Sequence, residues 1–216
     1  MFIAIEGVIG VGKTSLARLL QPSFDANLLL EIFEENPFLS NFYQDRARYA
    51  FQTQIFFLLS RYYQQRRNVP DLLAKGKILI SDYTFDKDSL FARINLLGDE
   101  LEMYYRVHAA LAEKIPQPDL VLYLRATTNV LMQRIAQRDR PYERTMELDY
   151  IATLNRAYDD YFTSSPQAGR TLTIDTNELD FVHNLEDLRH VDNRIRQTLQ
   201  LPPFQQELPI SSQDGI

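Results

Sequence analysis

The residues best able to do chemistry stand near the start of the chain, where Gly7-Val8-Ile9-Gly10-Val11-Gly12-Lys13-Thr14 fits the pattern G-x-x-x-x-G-K-[ST]. Glycines at these spacings let the backbone curl so that successive N–H groups point at phosphate oxygens. Lys13 then neutralises charge on the β- and γ-phosphates, and the Thr14 hydroxyl is offered to Mg²⁺. The predicted cradle comprises Gly7, Gly10, Val11, Gly12, Lys13, Thr14 and Ser15. The bland alternative is a glycine-rich turn that binds nothing. Context argues against it: the apolar run at residues 2–6 leads into the loop, and Ser15-Leu16-Ala17-Arg18-Leu19-Leu20 continues it as a helix whose N-terminal dipole favours an anion. The loop implies a nucleoside triphosphate and leaves the acceptor open.

Such a loop needs a sheet behind it. Short apolar runs bounded by turn or charge signals predict strands over residues 2–6, 27–31, 77–81, 119–124 and 170–175. Between them, helical spacing predicts helices over 46–67, 99–114, 127–138, 147–162 and 185–199. Parallel strands need crossover connections, so this alternation points to an α/β fold with a parallel sheet covered by helices on both faces. Ligands then sit at the carboxyl ends of the strands.

At 216 residues and 45% hydrophobic content, the chain suits one domain with a substantial core, expected over residues 1–201. Periodicity is lost after Leu201, and residues 202–216 read as a flexible tail. With no cysteine, disulfides and thiolate metal sites are excluded, so a metal would be held by oxygen or imidazole. A net charge of −6 argues against binding polymeric nucleic acid, which normally leaves a basic footprint. The sequence shows neither a signal peptide nor an apolar run of the roughly 20 residues a membrane helix needs, so a cytoplasmic protein without membrane contact is expected.

Four further segments, in order behind the phosphate loop, resemble the deoxynucleoside kinase family, and the resemblance spans roughly residues 2–199. It implies a three-layer P-loop kinase fold with a five-stranded parallel sheet and an arginine-rich lid. It also implies transfer of the γ-phosphate of ATP, with Mg²⁺, to the 5′-hydroxyl of a deoxyribonucleoside for nucleotide salvage, in a homodimer. In Leu28-Leu29-Leu30-Glu31, Glu31 falls on the family's general base. A base must lie about 3 Å from its proton, and the carboxyl end of a strand faces the phosphate loop. Alone, Glu31 would more often be a solvated strand-end charge; its place in the motif order reverses that weighting. In 51–61, Gln54 and Arg61 are seven apart on one helix face and match the pair that reads the nucleobase, whereas Gln52 fails that spacing. Tyr43 inherits a contact to the sugar 3′-hydroxyl. The nearby aromatics Phe51, Phe56 and Phe57 individually read as core, with a sandwich around the base as the alternative for some of them.

In 78–92, Asp82 matches the acid that would organise Mg²⁺ with Thr14, but Tyr83 stands where most members carry an Arg. Lys87 or Arg61 is the expected substitute cation, and Asp88 matches a base-facing carboxylate, one residue out of register. In 120–144, Arg134, Arg138 and Arg140 resemble the lid cations that stabilise charge on the transferring phosphoryl group. Outside that context they would read as a solvated helix face. Glu143 matches the carboxylate that grips the sugar 3′-hydroxyl, and Asn177 belongs to the stretch similar to the loop beside the adenine of ATP.

Two alternatives compete. Thymidylate kinase shares the opening Phe2-Ile3-Ala4-Ile5-Glu6-Gly7 but wants Arg-Glu-Pro-Gly after the second strand, where this chain has Glu31-Ile32-Phe33-Glu34. A carboxylate there suits a nucleoside better than an anionic monophosphate. A nucleotide-dependent switch would carry an Asn-Lys-x-Asp guanine reader, which is absent. Pocket shape decides the preferred base, and deoxyadenosine is the expectation.

Overall fold

The strand that leads into the phosphate loop lies at the centre of the sheet: β1 (Phe2–Glu6) is buried along its whole length, as a parallel strand covered on both faces must be. The computed structural model describes residues 1–32, 35–164 and 170–204. Beside β1 run β2 (Asn27–Leu29), β3 (Leu79–Ser81), β4 (Leu120–Arg125) and β5 (Thr171–Asp175), all parallel, in the order β2-β3-β1-β4-β5. From β1 the chain passes to the edge strand β2, returns to β3 between them, and then crosses to β4 and β5 on the other side. The carboxyl end of β1 is therefore the switch point at which this topology opens a crevice.

Helices α1 (Lys13–Ser23), α2 (Leu39–Gln44), α3 (Arg46–Ala74), α4 (Lys87–Asn95), α5 (Gly98–Ala112), α6 (Thr128–Arg138), α7 (Leu148–Ser164) and α8 (Leu185–Thr198) complete the described fold. Alternation along β1 divides its side chains: Ile3 and Ile5 enter the large core, while Phe2 and Ala4 enter a smaller one with Leu29, Val69, Leu79 and Tyr83. The five strands agree with the apolar runs, and the observed ends differ for local reasons. β2 stops at Leu29, not 31, because the next backbone groups leave the ladder: Leu30 C=O accepts from Gln64 Nε2 at 2.8 Å and Glu31 N–H donates to Asp82 Oδ1 at 2.8 Å.

α3 runs to Ala74 instead of 67, through Pro70. Val69 is fully buried, and Leu72 and Leu73 pack on the same small core. Burying a side chain of this size stabilises by about 1.5–3 kcal/mol, so the group offsets the roughly 3 kcal/mol cost of an internal proline. The short helices α2 and α4 were not expected; each is too brief to show helical periodicity. The tail expected over 202–216 lies outside the described residues from 205 onward. Among the described residues no helix is long and apolar enough to cross a membrane.

Candidate active site

The phosphate loop connects β1 to α1, and its glycines are required by what surrounds them. Gly12 sits at φ +101°, and a Cβ there would lie 2.9 Å from the Phe181 ring; Gly7, at φ +147°, would bring one within 2.5 Å of the Leu124 carbonyl oxygen. Lys13 Nζ donates to the Gly7 and Val8 carbonyls at 2.6 and 3.1 Å, curling back over its own loop. Burial, joined by repulsion from Lys87, brings the Lys13 ammonium down to about 8, against the attraction of Glu6, Glu31 and Asp82. Thr14 Oγ1 donates to Asp82 Oδ2 at 2.5 Å. A hydroxyl and a carboxylate are thereby paired at the edge of the cradle, the oxygen donor set that suits Mg²⁺.

Opposite the loop lies a cluster of charges from four segments. Glu31 follows β2, Asp82 follows β3, Arg61 comes from the middle of α3, and Lys87 and Asp88 open α4. Lys87 Nζ donates to Glu31 Oε2 at 2.6 Å, Arg61 pairs with Glu31 through one terminal nitrogen and with Asp88 through the other, and Asp82 Oδ1 accepts from the Glu31 N–H. Burial pushes the Glu31 carboxyl up, but the charges of Arg61 and Lys87 overcome this and hold it well below the usual carboxylate range. Glu31 is thus an anion at neutral pH, oriented by two cations. Burial likewise works against the Arg61 guanidinium, yet the pairing with Glu31 raises it above its ordinary value.

Position 83 carries no cation. Tyr83 turns into the small core, where its hydroxyl donates to Gln64 Oε1 at 2.5 Å. Lys87 and Arg61, expected as alternatives, both pair with Glu31.

A cavity of about 270 Å³ joins the two groups, lined by Lys13, Thr14, Glu31, Asp82, Lys87 and Arg61 among others. Gln54, Tyr43 and Glu143 also face it, and so do Arg138 and Arg140 beside the 3-10 turn Pro141–Glu143. Glu143 is buried, and Arg138 Nη2 donates to both its oxygens at 2.6 and 2.7 Å, with Arg140 Nη1 3.7 Å away. Five expected site residues are not on its lining, two of them the buried loop residues Gly7 and Val11. Asp88 lies behind Arg61 and is fully buried, so it meets the cavity only through that guanidinium. Arg134 does not line the cavity; it donates to Thr176 Oγ1, the Thr176 carbonyl and the Leu179 carbonyl at 3.0, 2.6 and 3.2 Å. Asn177 accepts from the Thr127 N–H at 2.8 Å, holding the same loop to the start of α6.

Sequence reasoning passed over Arg18, Phe91 and Tyr142, and read Phe57 as core; all four line the cavity. A signal existed for two of them: Arg18 follows Thr14 by four residues, and Phe57 precedes Arg61 by four, each pair sharing a helix face. The Arg61 guanidinium carbon indeed lies 4.6 Å from the Phe57 ring centre.

The deoxynucleoside kinase family model matches residues 3–200. The chain belongs to the deoxynucleoside kinase family. It is 34% identical over 201 residues to the deoxyguanosine kinase of Bacillus subtilis (strain 168), covering 92% of this chain and 97% of that protein. It is 32% identical over 164 residues to the deoxyadenosine kinase of Dictyostelium discoideum, covering 74% of this chain and 65% of that one. Among solved structures, deoxyadenosine kinase from M. mycoides with bound dATP superposes with a TM-score of 0.79 at 25% identity, covering 91% of this chain and 99% of that one. This member of the family is therefore an enzyme, a phosphotransferase that takes phosphate from a nucleotide donor to a deoxynucleoside, and its sheet and helices are those of a P-loop kinase.

Proposed function

We propose that the enzyme moves the γ-phosphate of ATP to the 5′-hydroxyl of a purine 2′-deoxynucleoside, with deoxyguanosine ahead of deoxyadenosine. The observation that carries this reading is Glu31: a carboxylate held by Lys87 and Arg61 on the same cavity as Lys13 and Thr14. The 5′-hydroxyl donates a hydrogen bond to Glu31 and points its oxygen at the γ-phosphorus. As the new P–O bond forms, the bond to the β-phosphate oxygen breaks, ADP leaves with that electron pair, and Glu31 receives the proton. A carboxylate held this acidic is a weak base. It suffices because bond formation is little advanced in a loose transition state, so orienting the alcohol comes first and proton transfer last.

Mg²⁺ fits the oxygens of Thr14 and Asp82, where it would neutralise phosphate charge. Among the described residues no group of three or more His, Asp or Glu side chains is placed to hold a metal, so the remaining ligands would be phosphate and water. Arg138 and Arg140 serve as lid cations over the equatorial oxygens, and Tyr43 and Glu143 hold the sugar 3′-hydroxyl. Arg134 and Asn177 act on the donor side by shaping the loop after β5.

Gln54 and Arg61 meet the base, with Asp88 fixing the Arg61 fork. A guanine edge offers O6 and N7 acceptors to such a fork, whereas adenine opposes it with its amino donor. The relatives bear the names of both activities, and deoxyadenosine remains the second reading. Salvage in the cytoplasm is the setting this activity fits. For the homodimer, the exposed face is that of the packed helices α3 and α5, which leave Leu59, Tyr63 and Met103 in solvent. Light scattering at twice the chain mass would support it.

Incubation with MgATP and a panel of deoxynucleosides and monophosphates, read by mass spectrometry, tests the chemistry. Phosphate should appear on nucleosides. A kcat/KM for deoxyguanosine at least about tenfold above deoxyadenosine is expected, one good base contact being worth about 1–3 kcal/mol. The reverse order would establish the second reading, and transfer to monophosphates alone would overturn both.

A further inference from the structure

Glu6, the last residue of β1, does not line the cavity, yet it is an ionisable side chain only 1% exposed at the root of the phosphate loop. Stability alone does not call for a carboxylate there, since well-packed apolar groups commonly do as well or better. Four donors satisfy it. Oε1 accepts from the Thr84 N–H and hydroxyl at 2.6 and 3.0 Å; Oε2 accepts from the Gly7 N–H at 3.1 Å and the Tyr158 hydroxyl at 3.3 Å.

These donors come from three parts of the chain that must move as one during transfer. Gly7 begins the phosphate loop, and its carbonyl accepts from Lys13, so the two peptide units that flank its α-carbon are held, one on its N–H by Glu6 and the next on its C=O by Lys13. Thr84 stands two residues after Asp82 and three before Lys87, on the loop that carries the acceptor-side charges. Tyr158, on α7, closes the lock from beneath. Burial raises the Glu6 carboxyl above its ordinary value, against the attraction of Lys87 and Lys13.

We propose that Glu6 is a positioning residue for phosphate transfer: its carboxylate locks the Gly7 peptide of the donor cradle to Thr84, and so fixes the separation between the triphosphate and the cluster of Asp82 and Lys87. The inference rests on the proposed transfer between those two groups. Misplacing reacting partners by about 1 Å costs on the order of a hundredfold in rate. Neither substrate alone would register the change.

The decisive variant is Glu6→Gln. Whichever way its amide is turned, an NH₂ group faces the Gly7 or the Thr84 N–H, and the lock cannot close. Its kcat should fall roughly a hundredfold. Calorimetric Kd values, for MgATP alone and for the deoxynucleoside the wild-type enzyme phosphorylates fastest, should stay within about threefold of wild type. Thr84→Val should lose roughly three- to tenfold in kcat and add nothing on the Glu6→Gln background, as expected of residues in one network. A Glu6→Gln enzyme with wild-type kcat, one whose loss lies in the MgATP Kd, or effects that multiply would each overturn the inference. If Glu6→Gln does not fold by circular dichroism, Thr84→Val and Tyr158→Phe decide: lowered kcat at unchanged Kd upholds the lock, and wild-type kcat in both refutes it. A wild-type enzyme that phosphorylates no nucleoside would instead sink the proposed transfer itself.

Discussion

On the proposed donor side of the cavity lies a run of contiguous chain, held in shape by Gly7, Gly12 and the returning Lys13 ammonium. On the proposed acceptor side the charged groups are side chains, and Glu31, Arg61, Asp82, Lys87 and Asp88 arrive from four segments to neutralise one another. A backbone cradle is indifferent to which nucleoside shares the cavity, because N–H groups read only phosphate. A side-chain cluster can be retuned one residue at a time: with a Tyr at 83, Glu31 still has two cationic partners, Lys87 and Arg61.

This contrast predicts different kinetic failures on the two sides. The largest should come from Glu31→Gln, which removes the proton acceptor and should cost about a thousandfold in kcat, within the usual range for a general base. MgATP affinity measured by calorimetry should hold. Gly12→Ala attacks the other side. Its positive φ and the Phe181 ring leave no room for the methyl, a strain of about 1–3 kcal/mol. It should lower kcat/KM for ATP roughly a hundredfold, since the cradle must deform to accept it, while deoxynucleoside affinity stays put. Loss of deoxynucleoside affinity in that variant would show that the two halves are not separately built.

Lys87→Met should fall next, about thirtyfold in kcat, because Glu31 keeps only Arg61 and the acceptor loses a cation; this corresponds to about 2 kcal/mol. Lys87→Arg should recover most of that rate, and a failure to recover would mean that shape, not charge, is what position 87 provides. Asp88→Asn should leave kcat for the preferred nucleoside within a few-fold but shift the deoxyguanosine-to-deoxyadenosine ratio about tenfold, as the Arg61 fork loses its anchor. Arg134→Gln should be smallest. Weakening the hydrogen bonds to the loop after β5 by about 1 kcal/mol in all, since Gln keeps a donor there, should raise the KM for ATP by roughly fivefold with kcat nearly unchanged. A large fall in kcat there would place Arg134 on the phosphoryl group with Arg138 and Arg140.

The sequence by itself determined the phosphate cradle, the five parallel strands and the family, because each is written in adjacent residues. Loop conformation follows from glycine spacing, and strand identity from local apolar runs. Through motif order it also named most of the charged residues gathered around the cavity, but not their arrangement. Only the tertiary structure decided that Lys87 and Arg61 both hold Glu31, that Asp88 works from behind Arg61, that Arg134 and Asn177 bind a loop, and that Glu6 joins Gly7 to Thr84 and Tyr158. These pairings span gaps as long as the 152 residues between Glu6 and Tyr158. No local propensity encodes such contacts; they exist because parallel strands in the order β2-β3-β1-β4-β5 bring distant strand ends to one edge, where burial obliges every charge to find a partner.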